Sequence, residues 1–227
     1  MKFENTDVWG FRHAIRGMRN PLNSWDKSDS YYEKGTDPFS LEEWVATEIT
    51  IGDNDLDLMQ RLIKGGSEHR KYLRQIMVSV DITAPLYWWK EFDTYKIGTT
   101  ANSTSTMHKL ATTPITMDCF ETDDYEEMIF GVGEILSPYM IIEYCEKLRQ
   151  KYLETKDKKY WKELVRWLPE SWLQTRTWTA NYEVLRNIVH QRTGHKLSEW
   201  QSFIDWVKTL PYAEDLIFYK GEDLYGT

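Results

Sequence analysis

Between Ile82 and Leu110 the chain reads ITAPLYWWKEFDTYKIGTTANSTSTMHKL, where an apolar run carrying Trp88, Trp89 and Phe92 gives way to a polar loop. Tyr95 and Lys96 open the loop, Asn102, Ser103, Thr104, Ser105 and Thr106 crowd its centre, and His108 and Lys109 close it. A buried element that ends in a dense set of small hydrogen-bonding side chains is how a rigid scaffold presents a polar ligand site. The same residues also suit a plain solvated turn, because Ser, Thr and Asn bond readily to nearby backbone.

A second segment, Glu163 to Ser198, holds Arg166, Arg176, Arg186 and Arg192. The planar guanidinium fork suits phosphate. Each arginine taken alone has an ordinary use as well. Arg186 can face solvent on its helix, and Arg192, beside Thr193-Gly194, can meet the last carbonyls of a helix. The five histidines are scattered, with no HxxxH or HExxH, so no metal signature exists. GxSxG and GxGxxG are also absent, which removes the usual sequence grounds for a serine hydrolase or a Rossmann dinucleotide site.

These residues must be held by a chain of 227 residues, enough for one substantial core, and a single domain over 1–227 is expected. Apolar residues make up 41% and aromatics 15%, with 11 Trp and 14 Tyr, so the chain must bury much aromatic surface, some of it at a subunit interface. A formal charge of −8 argues against a general nucleic-acid binder, though a pocket for a small anion needs only a few local cations. No stretch approaches the ~20 apolar residues needed to span a bilayer, and no secretory core is present, so a cytoplasmic protein without a membrane partner is expected. Cys119 and Cys145 then suggest neither zinc nor a structural disulfide.

Periodicity supplies the elements. Val8 to Met18 reads as a helix ended by Pro21, Asn20 to Phe39 as loop, and Leu41 to Ala46 as a short helix. Asp53 or Asn54 is expected to cap a helix with stripe Leu58, Met59, Leu62 and Ile63, stopped by Gly65-Gly66. Ile76 to Thr83 alternates as a strand, and Pro85 opens a helix to about Asp93. Ser137 to Leu153 is a helix with stripe Ile141, Tyr144, Cys145 and Leu148, and Trp161 to Leu168 is another. Gln174 to Thr179 is a strand, Asn181 caps the next helix, and Ser198 caps one reaching Lys208. Helices with a few dispersed strands give an α+β domain with a mixed or antiparallel sheet.

Ala84-Pro85, Trp88 through Lys96 and Asn102 through Ser105 resemble the signature region of the flavin-dependent thymidylate synthases. There an Ala-Pro helix ends in Arg-His-Arg, followed by a short spacer and a Ser. Here Thr94-Tyr95-Lys96 stands at the triplet, eight residues follow, and Ser105 ends the motif. Leu62 to Ile76 resembles the family's helix, glycine and His-rich turn, with His69 at a flavin-contacting position and Arg74 where a Glu is frequent. Arg166-Trp167-Leu168-Pro169 resembles the Arg before a Leu-Pro that binds the nucleotide phosphate. Trp178 through Asn181, then Asn187 and Arg192, resemble the strand end and helix that contact flavin and nucleotide, although the family has an Arg at Glu183.

The resemblance implies a homotetramer that binds FAD and converts dUMP to dTMP, with methylenetetrahydrofolate and reduced nicotinamide (NADPH) as co-substrates. It implies His69, Tyr95, Lys96, Ile97, Asn102, Asn181 and Asn187 at the flavin. For the nucleotide it implies Glu91, Ser103, Thr104, Ser105, Thr106, Arg166 and Arg192, with Ser105 the candidate catalytic-site residue and Lys109 a replacement for a phosphate-binding Arg. The altered triplet, and Glu91 at a position where a Gln is frequent, leave two alternatives open: a related flavin-dependent pyrimidine nucleotide modifier, and a non-catalytic nucleotide- or flavin-binding homologue.

Overall fold

A computed structural model describes residues 1–34, 46–123 and 138–220. In chain order these form β1 (Lys2–Trp9), α1 (Phe11–Arg19), β2 (Tyr31–Lys34), β3 (Ala46–Thr50), α2 (Asp53–Lys64), β4 (Met77–Pro85), α3 (Leu86–Phe92), β5 (Thr100–Ser103) and α4 (Thr106–Lys109). Then follow α5 (Pro138–Thr155), α6 (Lys158–Trp167), β6 (Leu173–Asn181), α7 (Tyr182–Arg192), α8 (Ser198–Lys208) and α9 (Ala213–Leu216). One sheet has the order β1-β4-β6-β5, and β2 pairs antiparallel with β3, Tyr31 opposite Thr50. The α+β expectation holds. No helix of the described residues is long and apolar enough to cross a membrane.

The chain groups into two compact units. Unit 1 comprises Met1–Asn5, Val80–Lys96 and Thr100–Trp178, and unit 2 comprises Thr6–Ser79, Ile97–Thr99 and Thr179–Thr227. Strand β4 alternates as its sequence requires, with Val78, Val80, Ile82 and Ala84 buried. Its other face meets the hydroxyls of β6: Ser79 bonds Thr179 at 2.9 Å, Thr177 donates to Asp81 at 2.5 Å, and Thr83 bonds Thr175 at 2.7 Å. Partner numbers fall by two on one strand as they rise by two on the other, so β4 and β6 run antiparallel.

In unit 1, α3 buries Trp88, Trp89 and Phe92, and Phe92 stacks on Trp88 with centroids 4.5 Å apart and meets Trp178 edge-on at 5.0 Å. The opening amides of α3, orphaned by helix geometry, donate to the carbonyls of Trp172 and Glu170. Trp88, Trp89, Trp178 and Trp200 are all fully buried, so these tryptophans build cores rather than the subunit interface anticipated for some of them. A second cluster joins Leu110, Ile115, Phe120, Ile142, Cys145, Leu148 and Leu164. It fixes the face of α5, and here the expectation needs correction: Ile142 is buried, whereas Ile141 and Tyr144 are 50% and 45% exposed. The helix was legible, but its inward stripe lies one residue further on because Cys145 and Leu148 pair with Ile142 at helical spacing.

In unit 2, Val8 and Trp9 belong to β1 and not to the helix expected from Val8. Gly10 makes the corner at φ +99°, where a Cβ would lie 2.0 Å from the Gln75 carbonyl oxygen, so glycine alone fits. The residues expected as loop contain β2. The helix expected over Leu41–Ala46 lies outside the described residues except for Ala46, which begins β3. Two caps also differ. The N-cap of α2 is Gly52, and its first amides are taken from a distance by Asp29, at 2.9 Å to Asn54 and 3.1 Å to Asp55. The N-cap of α8 is Leu197, with Ser198 inside the helix. Asn181 does cap α7, accepting the Val184 amide at 3.1 Å.

Glu146 on α5 anchors the stretch after α4. It accepts from both forks of Arg149, at 2.7 and 2.6 Å, and from the Ile115 amide at 2.8 Å. The Arg149 bonds, opposed by burial and helped by the Ile115 amide, hold its carboxyl down at about 2. A depressed folded-state value gives stability that is present above the unfolded value near 4.5 and lost as pH falls towards 2. The melting temperature should therefore drop steeply across that window. Glu146→Gln should melt lower at neutral pH and show a flatter profile there; equal slopes in calorimetry would remove Glu146 from the acid transition.

Candidate functional site

The Ser/Thr loop is positioned by a relay of side chains within unit 1. Arg176 on β6 lies over the Trp89 ring at 4.2 Å and donates to Asp93 at 2.7 Å. It also donates to the Gln174 amide oxygen at 3.0 Å, and the Gln174 amide nitrogen donates to the Thr104 carbonyl at 2.9 Å. The Thr104 amide returns a bond to the Thr175 carbonyl at 2.9 Å, and Trp89 donates its indole hydrogen to the Gln174 carbonyl at 3.0 Å. Arg176 was one of four arginines in the phosphate-suited segment. Its fork is committed to stacking and to Asp93, and the side chain works as an internal brace. Sequence could not show this, because Asp93 is 83 positions away.

Beyond the relay, Thr104, Ser105, Thr106 and Lys109 line one cavity of about 410 Å³ together with Thr83, Leu110, Cys119 and Trp172. Ser105 and Thr106 are half-buried, and their carbonyls take the Lys109 and Leu110 amides at the end of α4. The buried cluster around Leu110 and Phe120 backs the cavity. Asp118, Glu121 and Asp123 also line it, against Lys2, Lys109 and the Met1 ammonium, which lies 3.9 Å from Glu121 and 3.8 Å from Asp123. Three carboxylates thus face three cations across a wall of hydroxyls, and Lys109 is a point charge without a planar fork. None of the acids, nor Cys119 or Trp172, was named from sequence as a site residue, since each reaches the cavity from a loop or a single 3-10 turn with no periodic signal.

Ser103 and Asn102 are exposed on β5, and Glu91 is half-buried on α3. Thr94, at the first triplet position, turns its hydroxyl back to the Glu91 carbonyl at 2.8 Å and closes the end of α3. Tyr95 is half-buried with its ring 6.2 Å from Phe92, and Lys96 is exposed. Arg166 is exposed in the last turn of α6 and donates to Glu163 at 2.8 Å; it is not among the residues lining the Ser/Thr cavity.

Unit 2 holds the remaining candidates. Ile97 is 93% exposed. Gly98, at φ +74°, brings this corner onto the start of α7, where a Cβ would lie 3.5 Å from the Asn181 amide nitrogen. Asn187 is exposed on α7, and Arg192 at its end lies over the Trp200 ring at 4.4 Å. His69 is exposed, packs on Gly65, and lines a cavity of about 960 Å³. Its neighbour Arg70 grips Glu183 with two nitrogens, at 2.9 and 3.0 Å, and so ties the turn to the first turn of α7. Arg186 corrects the sequence reading: it is buried, donating to the carbonyls of Leu216 and Ile217 at 3.2 and 2.8 Å, and burial lowers its pKa. No metal-binding group of His, Cys, Asp and Glu occurs among the described residues.

No family model and no curated protein sequence matches the chain. Among solved structures, the flavin-dependent thymidylate synthase ThyX from Helicobacter pylori, complexed with FAD and dUMP, superposes with a TM-score of 0.65 over 96% of this chain and 98% of that one, at 19% identity. The chain has the fold of a flavin-dependent thymidylate synthase. A second structure of the Helicobacter pylori enzyme, also with FAD and dUMP, agrees, with a TM-score of 0.64 over 96% and 97% of the two chains and again 19% identity. The fold expected from the Ala-Pro helix and the Ser/Thr loop is thus borne out, although identity is low.

The relay generates a prediction. Arg176→Ala leaves Asp93 and Gln174 without their donor and should lower stability by about 1–3 kcal/mol. Arg176→Lys keeps the charge but loses the stacked fork, so it should recover only part of the loss in urea denaturation. A lysine variant as stable as the parent would show that the geometry of the fork is irrelevant.

Proposed function

We propose that this protein is a divergent flavin-dependent thymidylate synthase, acting as one functional domain over residues 1–227 and converting dUMP to dTMP with methylenetetrahydrofolate and NADPH. What carries the reading is the full-length likeness to an enzyme holding FAD and dUMP, joined to the Ser/Thr cavity at the motif position. The flavin fits the exposed residues on unit 2: His69, Ile97, Asn187 and the amide of Asn181, whose oxygen is already used on Val184 while its nitrogen faces Gly98. Tyr95, Lys96 and Asn102 are the flavin candidates on unit 1. When bound, the flavin supplies the hydride, and the chain contributes position and electrostatics.

Thr104, Ser105 and Thr106 orient the nucleotide through hydroxyl and backbone groups, with Ser103 and Glu91 nearby in sequence. Ser105 is placed as an orienting hydroxyl in the catalytic site. Arg166 and Arg192 are the phosphate donors; binding at Arg166 must compete with Glu163, which holds it at 2.8 Å. A second reading has a specific observation behind it. Asp118 in the Ser/Thr cavity and Glu91 on α3 favour a base that offers more donors than uracil, as in a related pyrimidine nucleotide modifier, whereas Glu121 and Asp123 lie beside the Met1 ammonium. The protein is to be incubated with FAD, NADPH, methylenetetrahydrofolate and either dUMP or dCMP, in separate runs, and the nucleotide product weighed by mass spectrometry. Formation of dTMP is expected; turnover of dCMP alone would support the modifier. No flavin band, no FAD-induced rise in melting temperature and no product would sink both, since a ligand of the native state must stabilise it.

Arg166→Ala and Arg192→Ala should each weaken dUMP by roughly one to two orders of magnitude, the worth of a hydrogen bond to a charged group. Lys147→Ala, on an exposed i,i+4 pair with Glu143, is the control, because buried Arg186 is unsuitable. Three equal, small effects in calorimetry would exclude both arginines from the phosphate.

A homotetramer is proposed for the same reading. Tyr139, Met140, Ile141 and Tyr144 on α5 and Trp167 on α6 are between 45% and 59% exposed, an apolar set that suits burial by another subunit. Ile141→Asp should shift the light-scattering mass from tetramer towards monomer; a monomeric parent, with FAD present, would contradict the assignment.

A further inference from the structure

Helix α1 presents Arg12, Arg16 and Arg19 at spacings of four and three, which places them along one side of the helix. Beside them opens a groove of about 1010 Å³ in unit 2, lined also by His13, Trp25 and Tyr32. Among the described residues its lining contains no carboxylate, although the chain carries 36 acidic residues against 28 Lys and Arg.

The three arginines are not equivalent. Arg19 is buried and donates its Nε to Asp55 at 2.6 Å, so its charge is largely met. Arg12 and Arg16 are exposed, and neither forms an ion pair among the described residues. Arg16 lies over the Trp25 ring at 5.0 Å, and Trp25 is itself fixed by donating its indole hydrogen to Asn20 at 2.8 Å. A stacked guanidinium keeps its in-plane hydrogens pointing outward, as bidentate recognition of an oxyanion requires. Burial raises the Tyr32 phenol against the opposing pull of Arg12, so its hydroxyl stays protonated as a donor. Two like charges one helical turn apart destabilise α1 unless an anion sits between them.

We propose that this groove is a binding site for a diphosphate group, free or carried by a nucleotide, held by Arg12 and Arg16 with Trp25 and Tyr32 as the aromatic walls. Two adjacent forks match two linked phosphates better than one. The volume stands at the upper end of ligand pockets, ~300–1,000 Å³, leaving room for a base and sugar. None of these residues is among those named for the thymidylate synthase site, so the inference does not rest on that reading.

The test is calorimetric titration of the full-length protein, at low ionic strength, with inorganic pyrophosphate, ADP and FAD in separate runs. Saturable pyrophosphate binding that weakens as salt is raised is expected. It should weaken by roughly tenfold or more in Arg12→Gln/Arg16→Gln, partly in Arg16→Lys, and not in Lys147→Gln. ADP binding more tightly than pyrophosphate would show a nucleoside carrier, and equal binding a free anion. Loss of FAD in the double variant would make the occupant the flavin's own diphosphate. If the parent binds pyrophosphate but never FAD, the groove stands and the enzymatic reading falls. The proposal is overturned if neither anion saturates at millimolar concentration, if the double variant binds as the parent does, or if a short oligonucleotide binds more tightly than both.

Discussion

A carboxylate with no accessible surface cannot remain charged unless every lone pair is answered. Asp55, fully buried in the first turn of α2, meets that requirement with five donors. One oxygen takes the Arg19 Nε at 2.6 Å; the other takes the hydroxyls of Ser28 and Ser30, both at 2.7 Å, and the amides of Asp29 and Ser30 at 3.2 and 3.1 Å. Burial pushes the carboxyl up, but the bonds from Ser30, Ser28 and Arg19 outweigh it and hold the group below the usual Asp range. The clasp is reciprocal, because Asp29 returns its own carboxylate to the Asn54 and Asp55 amides. The end of α1, the 28–30 turn and the start of α2 are thereby one piece. Removing a single partner from such a set costs about 3–5 kcal/mol, since it strands the other charge. Both large cavities of unit 2 are lined by Arg19 and so depend on this pair.

Unit 1 follows the same rule with different residues. Its Ser/Thr loop owes its place to Arg176, and the stretch beyond it to Arg149 and Glu146. In both cases a guanidinium spends its planar fork inside the protein, on an aromatic ring, a carboxylate or a backbone carbonyl. Arg186 does likewise at the carbonyls of Leu216 and Ile217. An arginine-rich segment therefore says little about phosphate until each fork has been accounted for.

This division explains what could be read from the sequence. Alternation gave β4, apolar spacing gave α2 and α7, and Asn181 gave a cap, because each signal is complete within a few residues. The Ser/Thr loop stood out as a candidate since its hydroxyls are consecutive. Strand β1 was missed because its sequence, KFENTDVW, is mostly exposed and shows no clean alternation. The cap of α2 was misassigned because the capping carboxylate arrives from 25 residues away. The inward face of α5 was missed by one residue because Ile141 and Ile142 are chemically alike and only packing separates them. The acids of the Ser/Thr cavity left no signal, as solvated surface and cavity wall have the same composition.

Glu183 shows how such a chain can hold a fold while changing its charges. An acid in the first turn of α7 is favoured by the helix dipole, and Arg70 meets it bidentately while Glu183 is almost wholly buried. The pair ties the turn carrying His69 to the helix carrying Asn187 and Arg192. A positive charge at position 183 would face Arg70 and the buried Arg186 across a low-dielectric interior, a like-charge contact with no compensating acid. Glu at 183 and Arg at 70 therefore need to change together. Thr94 is coupled in the same way to the end of α3, where its hydroxyl adds a bond to the Glu91 carbonyl, which also accepts the Thr94 amide at 3.2 Å. At Glu183 and Thr94, then, the departure from the expected arginine comes with a local partner for the residue present. The physical consequence is that few guanidinium forks remain exposed, since Arg19, Arg70, Arg149, Arg176 and Arg186 spend theirs inside the protein.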